Sequence, residues 1–212
     1  SFFTKFGRSK NASQASEDEI IDLVNWGCKS GSIEGYEREI IQNIFNLNDI
    51  TAKSIMTHRV HMSALEESTK VLDLTASDLI KLHSRIIIYD KDLDHITGIV
   101  LQKDLLVAHA DGKEILTLKS ISKPCPTVFE NVTAQHLLDL FKKTRQHLFV
   151  VIDSEGGTSG VVTLEDVLEE IVGDIHDESD DLKGESNKDL KKEERLSELN
   201  LIGPISVEDT TK

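Results

Sequence analysis

The residues of this chain best suited to ligand chemistry are Thr163 and Asp166, a hydroxyl and a carboxylate close together in sequence. They join the apolar run GVVT (residues 160–163) to the amphipathic run LEDVLEEIV (residues 164–172), which predicts a strand leading directly into a helix. Side chains three positions apart lie on the same side of a helix, so this pair could hold a polyol such as a ribose. The two residues also fit an ordinary helix N-cap with acids in the first turn, and both interpretations can hold together.

A weaker version of the same pattern occurs earlier, in GIVLQKDLL (residues 98–106). Asp104 corresponds to Asp166, but Leu101 stands where Thr163 stands, so a hydroxyl is missing. We therefore expect one ligand site per chain, in the second copy.

The elements that must position these residues are repeated as well. Copy one runs from about residue 54 to 108 and copy two from about residue 120 to 172. The residue pattern of each copy predicts the order strand, helix, strand, strand, helix, with the first helices at residues 69–74 and 135–140. Neither copy is large enough to bury a core alone, so the two should pack together as one α/β domain.

The segments outside the repeat carry no recognisable chemistry. Residues 1–15 read as a polar linker, and residues 16–50 as a helical pair. The motif S-x-x-E at Ser16–Glu19 is a capping box that begins the first helix, which should end at Gly31. The second helix is predicted over residues 34–47, with one apolar face formed by Ile40, Ile41, Ile44, Phe45 and Leu47. Residues 177–212 read as a flexible acidic tail.

Composition excludes several classes of function. The net charge of −14 argues against a nucleic-acid partner, and no apolar run approaches the roughly 18 residues of a membrane span. The two cysteines, Cys28 and Cys125, lack metal-site spacing and suggest unpaired thiols in a reducing compartment. No general base is paired with a nucleophile in sequence, so we expect a protein that is not an enzyme.

Four strings together resemble a known family. They are IMTHR (residues 55–59), HSRIIIY (83–89), DLDHITG (92–98) and GGTSGVVTLEDVLEEIVG (156–173). The element order and these strings resemble the CBS domain, and two in tandem resemble a CBS pair, or Bateman module. The last string narrows the resemblance to the CorC/HlyC group of hemolysin-like and magnesium–cobalt efflux proteins, which are related to the cyclin-M magnesium transporters.

The resemblance implies the rest of the expected organisation. CBS 1 would span residues 51–112 and CBS 2 residues 116–176. The pair would form a homodimer on the cytoplasmic face of a membrane, attached to a transmembrane domain that precedes Ser1. In such proteins the module binds ATP or another adenine nucleotide, commonly with Mg²⁺ held through the phosphates, and regulates transport of divalent cations. No protein metal ligand and no nucleic acid are expected.

The resemblance also assigns roles to individual residues. Thr163 and Asp166 match positions that bond the ribose; Ser84, Arg85 and Ile86 match positions lining the adenine and phosphates; and Thr57 matches a phosphate contact. Glu165 and His83 match less directly, and His83 fits packing or a surface position better.

Two departures leave a second hypothesis open. His58 and Ile87 replace family prolines, and each change removes a φ restraint near the phosphates. The alternative function is therefore a structural dimerisation module with an empty nucleotide pocket.

Overall fold

A computed structural model of the chain describes residues 16–74, 83–113 and 115–173. Its α-helices are α1 (Glu17–Lys29), α2 (Gly35–Asn46), α3 (Ala52–Ile55), α4 (Gln102–Ala110), α5 (Leu118–Ile121), α6 (Ala134–Thr144) and α7 (Leu164–Val172). Its strands are β1 (Thr57–His58), β2 (Ala64–Glu66), β3 (Arg85–Tyr89), β4 (Ile96–Leu101), β5 (Thr127–Phe129), β6 (Leu148–Ile152) and β7 (Thr158–Thr163). Short 3-10 turns occupy Arg59–His61 and Val71–Asp73.

The N-terminal helical pair forms as the sequence predicts. The Ser16 hydroxyl accepts from the Glu19 amide, and the Glu19 carboxylate accepts from the Ser16 amide, which completes the predicted capping box. Beyond the end of α1, Gly31 adopts a positive φ of 76°, where glycine is favoured. On the predicted apolar face of α2, Leu47 is buried and Ile44 is 48% exposed. Helix α2 packs on α1 and on α7.

The two copies build two sheets. The first has strand order β2-β3-β4, and the second has order β1-β7-β6-β5. In each copy the leading strand runs parallel to the next strand, which is antiparallel to the last. The predicted order strand, helix, strand, strand, helix is confirmed in copy two. In copy one the predicted helix at residues 69–74 is a 3-10 turn at Val71–Asp73, and residues 75–82 lie outside the described range.

The leading segment of each copy crosses to the sheet of the other. Strand β1 pairs antiparallel with β7, placing Thr57 opposite Val161. In the same way Lys123, which follows α5, forms a bridge with Ile99 of β4. Each packed unit therefore contains a short segment that belongs, by sequence, to the other copy.

Three apolar clusters hold this arrangement together. One is the core of copy two, around Phe141, Phe149 and Val162. The second is the core of copy one, around Ile86, Ile88 and Leu105. The third joins the facing surfaces of the sheets and consists of Ile87, Ile99, Leu148, Val150 and Val161. Strand side chains alternate between the two faces of a sheet. Residues two positions from a member of this third cluster therefore also face the space between the copies.

Within the described ranges we find no helix with the length and apolar character that a bilayer crossing requires.

Candidate functional site

Thr163 and Asp166 form a reciprocal capping box at the start of α7. The Thr163 amide and hydroxyl both donate to Asp166 Oδ2, at 2.7 and 2.8 Å, and the Asp166 amide donates to Thr163 Oγ1 at 3.2 Å. The N-cap interpretation of this pair is therefore realised. Both bonds to the carboxylate use Oδ2, so Oδ1 lies outside the capping box and the pair remains suited to a ligand hydroxyl.

The surroundings of Asp166 are electrostatically unusual for a surface acid. Burial raises the pKa of the Asp166 carboxyl, the hydrogen bonds from Thr163 oppose the rise, and the Glu169 and Glu165 carboxylates add to it. A ligand that donates a hydrogen bond to this carboxylate, or brings a positive charge near it, would stabilise its ionised form. Glu165 itself is exposed in the same first turn.

Thr163 faces the space between the two sheets. It lies two positions beyond Val161 on β7, and Val161 belongs to the cluster that joins the copies. Side chains two positions apart share a face of a strand. Thr57 reaches the same strand from copy one, because β1 pairs with β7 at Thr57 and Val161. The structure thus brings Thr57 and Thr163 to neighbouring places on one sheet.

The candidate residues at β3 divide between its two faces. Arg85 lies two positions before Ile87, so it shares the face that looks towards copy two. Ile86 points the other way and is fully buried in the core of copy one, so its side chain cannot contact a ligand between the copies. Ser84 and His83 are exposed just ahead of the strand, and the Ser84 carbonyl accepts from the Gln102 amide at 3.1 Å.

Metal-binding side chains do not cluster in the described part of the chain, where no group of three or more His, Cys, Asp or Glu residues could hold an ion. Cys28 and Cys125 are both free thiols. Burial raises the pKa of Cys125 to about 11, which disfavours its thiolate.

Comparison with known proteins agrees with this architecture. The CBS domain family model matches residues 115–173. A solved CBS domain of a bacterial CNNM/CorC family Mg²⁺ transporter is 38% identical, with a TM-score of 0.70, and the match covers 76% of this chain and 99% of that one. The chain belongs to the CNNM/CorC family.

Other members of the CNNM/CorC family extend the comparison. The CBS domain solved in complex with ATP is 40% identical, with a TM-score of 0.62, over 66% of this chain and 99% of that one. The magnesium and cobalt efflux protein CorC of Vibrio cholerae is 31% identical over 191 residues, which are 90% of this chain and 65% of that protein. The chain spans about half the length of the curated relatives it matches.

One contact of this CNNM/CorC chain was not predicted from its sequence. Arg59 donates to both carboxylate oxygens of Asp94, at 2.7 and 3.2 Å, and to the Thr158 carbonyl at 3.2 Å. Asp94 in turn accepts from the Thr158 amide at 2.9 Å. The Arg59 guanidinium, and then the Thr158 amide, hold the pKa of Asp94 below its usual range.

We call these three residues the cross-copy clamp, because they tie the β3–β4 loop of copy one to the first residue of β7. The motifs IMTHR and DLDHITG contain both charged partners. The opposite charges of Arg59 and Asp94 are visible in the sequence, but no pattern near either residue indicates that the two side chains are in contact.

Proposed function

We propose that this chain is a regulatory module that binds ATP with Mg²⁺ on the cytoplasmic face of a membrane protein transporting magnesium, cobalt or another divalent cation. The observation that carries the proposal is the Thr163–Asp166 pair, partly buried at a strand-to-helix junction that faces the other copy. Such a junction between two domains is a preferred place for a small-molecule site.

The chemistry of the surrounding residues fits a nucleotide. Asp166 Oδ1 would accept from the ribose hydroxyls, and Arg85 on the facing sheet offers a planar cation suited to phosphate oxygens. The Thr57 hydroxyl would add a phosphate contact beside them. Mg²⁺ would offset part of the phosphate charge, with no protein side chain required as its ligand. A relative's CBS domain solved in complex with ATP supports the choice of nucleotide.

Regulation would follow from a difference in affinity between two arrangements of the module. Helix α7 begins at the proposed ribose contact and ends against the N-terminal pair, where the Asn43 side-chain amide donates to the Ile171 carbonyl at 3.2 Å. A change in the position of α7 would therefore reach α2 directly.

We also propose that the module forms a homodimer through its CBS units. Helices α4 and α7 leave apolar side chains exposed on both copies, at Leu106, Val107, Leu168 and Val172. Exposed apolar side chains on the same element of both copies are what an interaction face requires.

A second candidate is a dimerisation module with an empty pocket. The observation in its favour is that Thr163 and Asp166 already satisfy each other without a ligand. In that case the pair would serve only as a helix cap.

Calorimetric titration with ATP and Mg²⁺ separates the two candidates. We expect Asp166→Ala to weaken binding by at least about tenfold, because a charge-assisted hydrogen bond is lost. Asp104→Ala, at the corresponding place in copy one, is the matched control and should leave the affinity of the copy-two site unchanged. Circular dichroism would verify that both variants remain folded.

The absence of both binding heat and thermal stabilisation at millimolar ATP would favour the empty module. Binding that persists unchanged in Asp166→Ala would show that the nucleotide lies elsewhere.

A further inference from the structure

The copy-one counterpart of the proposed pocket contains a lysine. Lys123 bridges to Ile99 on β4, as Thr57 pairs with Val161 on β7. The two crossed segments are equivalent, so Lys123 occupies in copy one the place that Thr57 occupies in copy two. The Lys123 side chain extends to Asp104, with Nζ 2.8 Å from Oδ2.

The helix-start residues of the two copies correspond in the same way. Leu101 is the N-cap of α4 and makes no side-chain cap bond, whereas Thr163 caps α7. Asp104 and Asp166 are each the third residue of their helices. In both copies the carboxylate is engaged, by its own cap hydroxyl in copy two and by the lysine of the crossed segment in copy one.

We propose that Lys123 closes the copy-one pocket by binding Asp104, and that this lysine, more than the missing hydroxyl at Leu101, limits the chain to one nucleotide. This inference rests on the proposed function, since it concerns the counterpart of that site.

The strength of the two obstacles differs. A ribose entering copy one would meet an ammonium that already donates to Asp104 Oδ2, and displacing it would break a charge-assisted bond. A missing neutral hydroxyl weakens binding by only about tenfold or less. Loss of the hydroxyl alone would thus leave a weak site, whereas the Lys123 ammonium occupies Oδ2 of the acceptor and offsets its negative charge.

Lys123 is also held in place by its backbone. Its carbonyl accepts from the Ile99 amide at 2.9 Å, and its amide donates to the Ile99 carbonyl at 2.8 Å. The Asp104 side chain is 32% exposed and that of Lys123 55%. The anchored main chain keeps the ammonium within reach of the carboxylate.

The test is the stoichiometry of ATP–Mg²⁺ binding by calorimetry in single and double variants. We expect one nucleotide per chain for the natural sequence and for Leu101→Thr, a second weak site for Lys123→Thr, and two sites for Leu101→Thr/Lys123→Thr. The matched control is Lys113→Thr, which removes a lysine from an exposed pair with Asp111 just after α4. It should leave one site.

Repeating the series with Asp166→Ala weakens the copy-two site. At an ATP concentration that no longer fills the Asp166→Ala pocket, the triple variant Leu101→Thr/Lys123→Thr/Asp166→Ala should bind one nucleotide, at the new site. Two sites in the natural sequence, or two in Leu101→Thr alone, would overturn the role of Lys123. So would a folded double variant that gains no site.

The two proposals fail separately. Absence of binding by the natural sequence contradicts the proposed function, while the gain or loss of a site in the Lys123 variants decides the inference.

Discussion

The two copies share a backbone scheme down to individual hydrogen bonds, and they differ in the side chains at the proposed nucleotide pocket and at its counterpart in copy one. In copy one the Lys119 amide donates to the Glu67 carbonyl and the two side chains form an ion pair. In copy two the Lys53 amide donates to the Glu130 carbonyl, and those side chains pair as well. Both sheets also shift register near the same point, after Ile88 in one and after Val151 in the other.

This difference separates the residues that maintain the fold from those that define a site. The lysine–glutamate pairs and the tightly packed glycines recur in both copies because both need them to lock the crossed segments. The cap hydroxyl and the neutral residue of the crossed segment occur together only in copy two. A pocket can therefore be lost through two or three substitutions while the architecture persists.

The largest effects should come from the glycines at the crossing points. A Cβ at Gly160 would overlap the Thr57 carbonyl, and a Cβ at Gly98 would overlap the Lys123 carbonyl at 2.5 Å. Because backbone must shift in both cases, we expect Gly160→Ala to lower the free energy of unfolding by about 2 kcal/mol and Gly98→Ala by about 1 kcal/mol. Urea denaturation measures both.

Gly35→Ala, where no atom lies within 4 Å of the added methyl group, is the control for these substitutions. It should be neutral or slightly stabilising, because alanine restricts the unfolded chain. Equal effects at all three glycines would show that the crossing points are not tightly packed.

The paired lysines provide a second, smaller contrast. The Glu67 side chain is 12% exposed and that of Glu130 28%, while their lysine partners are similarly accessible. Lys119→Met should therefore lower the urea midpoint by about twice as much as Lys53→Met, because it leaves a more buried carboxylate without its cation. The double variant Lys119→Met/Glu67→Gln should recover part of the loss. The same midpoint for both single variants would remove the contrast.

The cross-copy clamp should give the smallest effect, visible as a dependence on pH. Since the pKa of Asp94 is lowered in the folded state, its contribution to stability is fully present above the ordinary aspartate pKa and is lost as the pH falls through the folded value. In a plot of the unfolding midpoint against pH, Asp94→Asn should therefore show a shallower fall at acidic pH than the unaltered chain.

Arg59→Met should reduce the same pH dependence of the unfolding midpoint, and the double variant should reduce it no further. Additive changes would mean that Asp94 and Arg59 act independently.

Much of this fold could be predicted from short-range patterns. The capping box at Ser16 gave the start of α1, the apolar runs gave β3, β4, β6 and β7, and the resemblance of GGTSGVVTLEDVLEEIVG gave the family. The absence of the cap hydroxyl at Leu101 was also readable. These features depend on residues near one another in sequence.

The remaining features depend on residues that are distant in sequence. The crossing of β1 to β7, the contact of Lys123 with Asp104 and the clamp between Arg59 and Asp94 each join separate motifs. The exposure of Ile44 could not be predicted for a related reason, since helical periodicity defines a face but not how much of it a neighbour covers.

The crossed segments also determine the order in which the molecule can be completed during synthesis. Strand β1 leaves the ribosome early, yet its partner β7 is nearly the last element of the described chain to appear. Copy one likewise cannot complete its backbone pairing until residues 117–123 have been synthesised, and these residues follow its own last helix. Native pairing of β1 therefore becomes available only when the whole module has emerged, so the halves should reach their final form together and not one after the other.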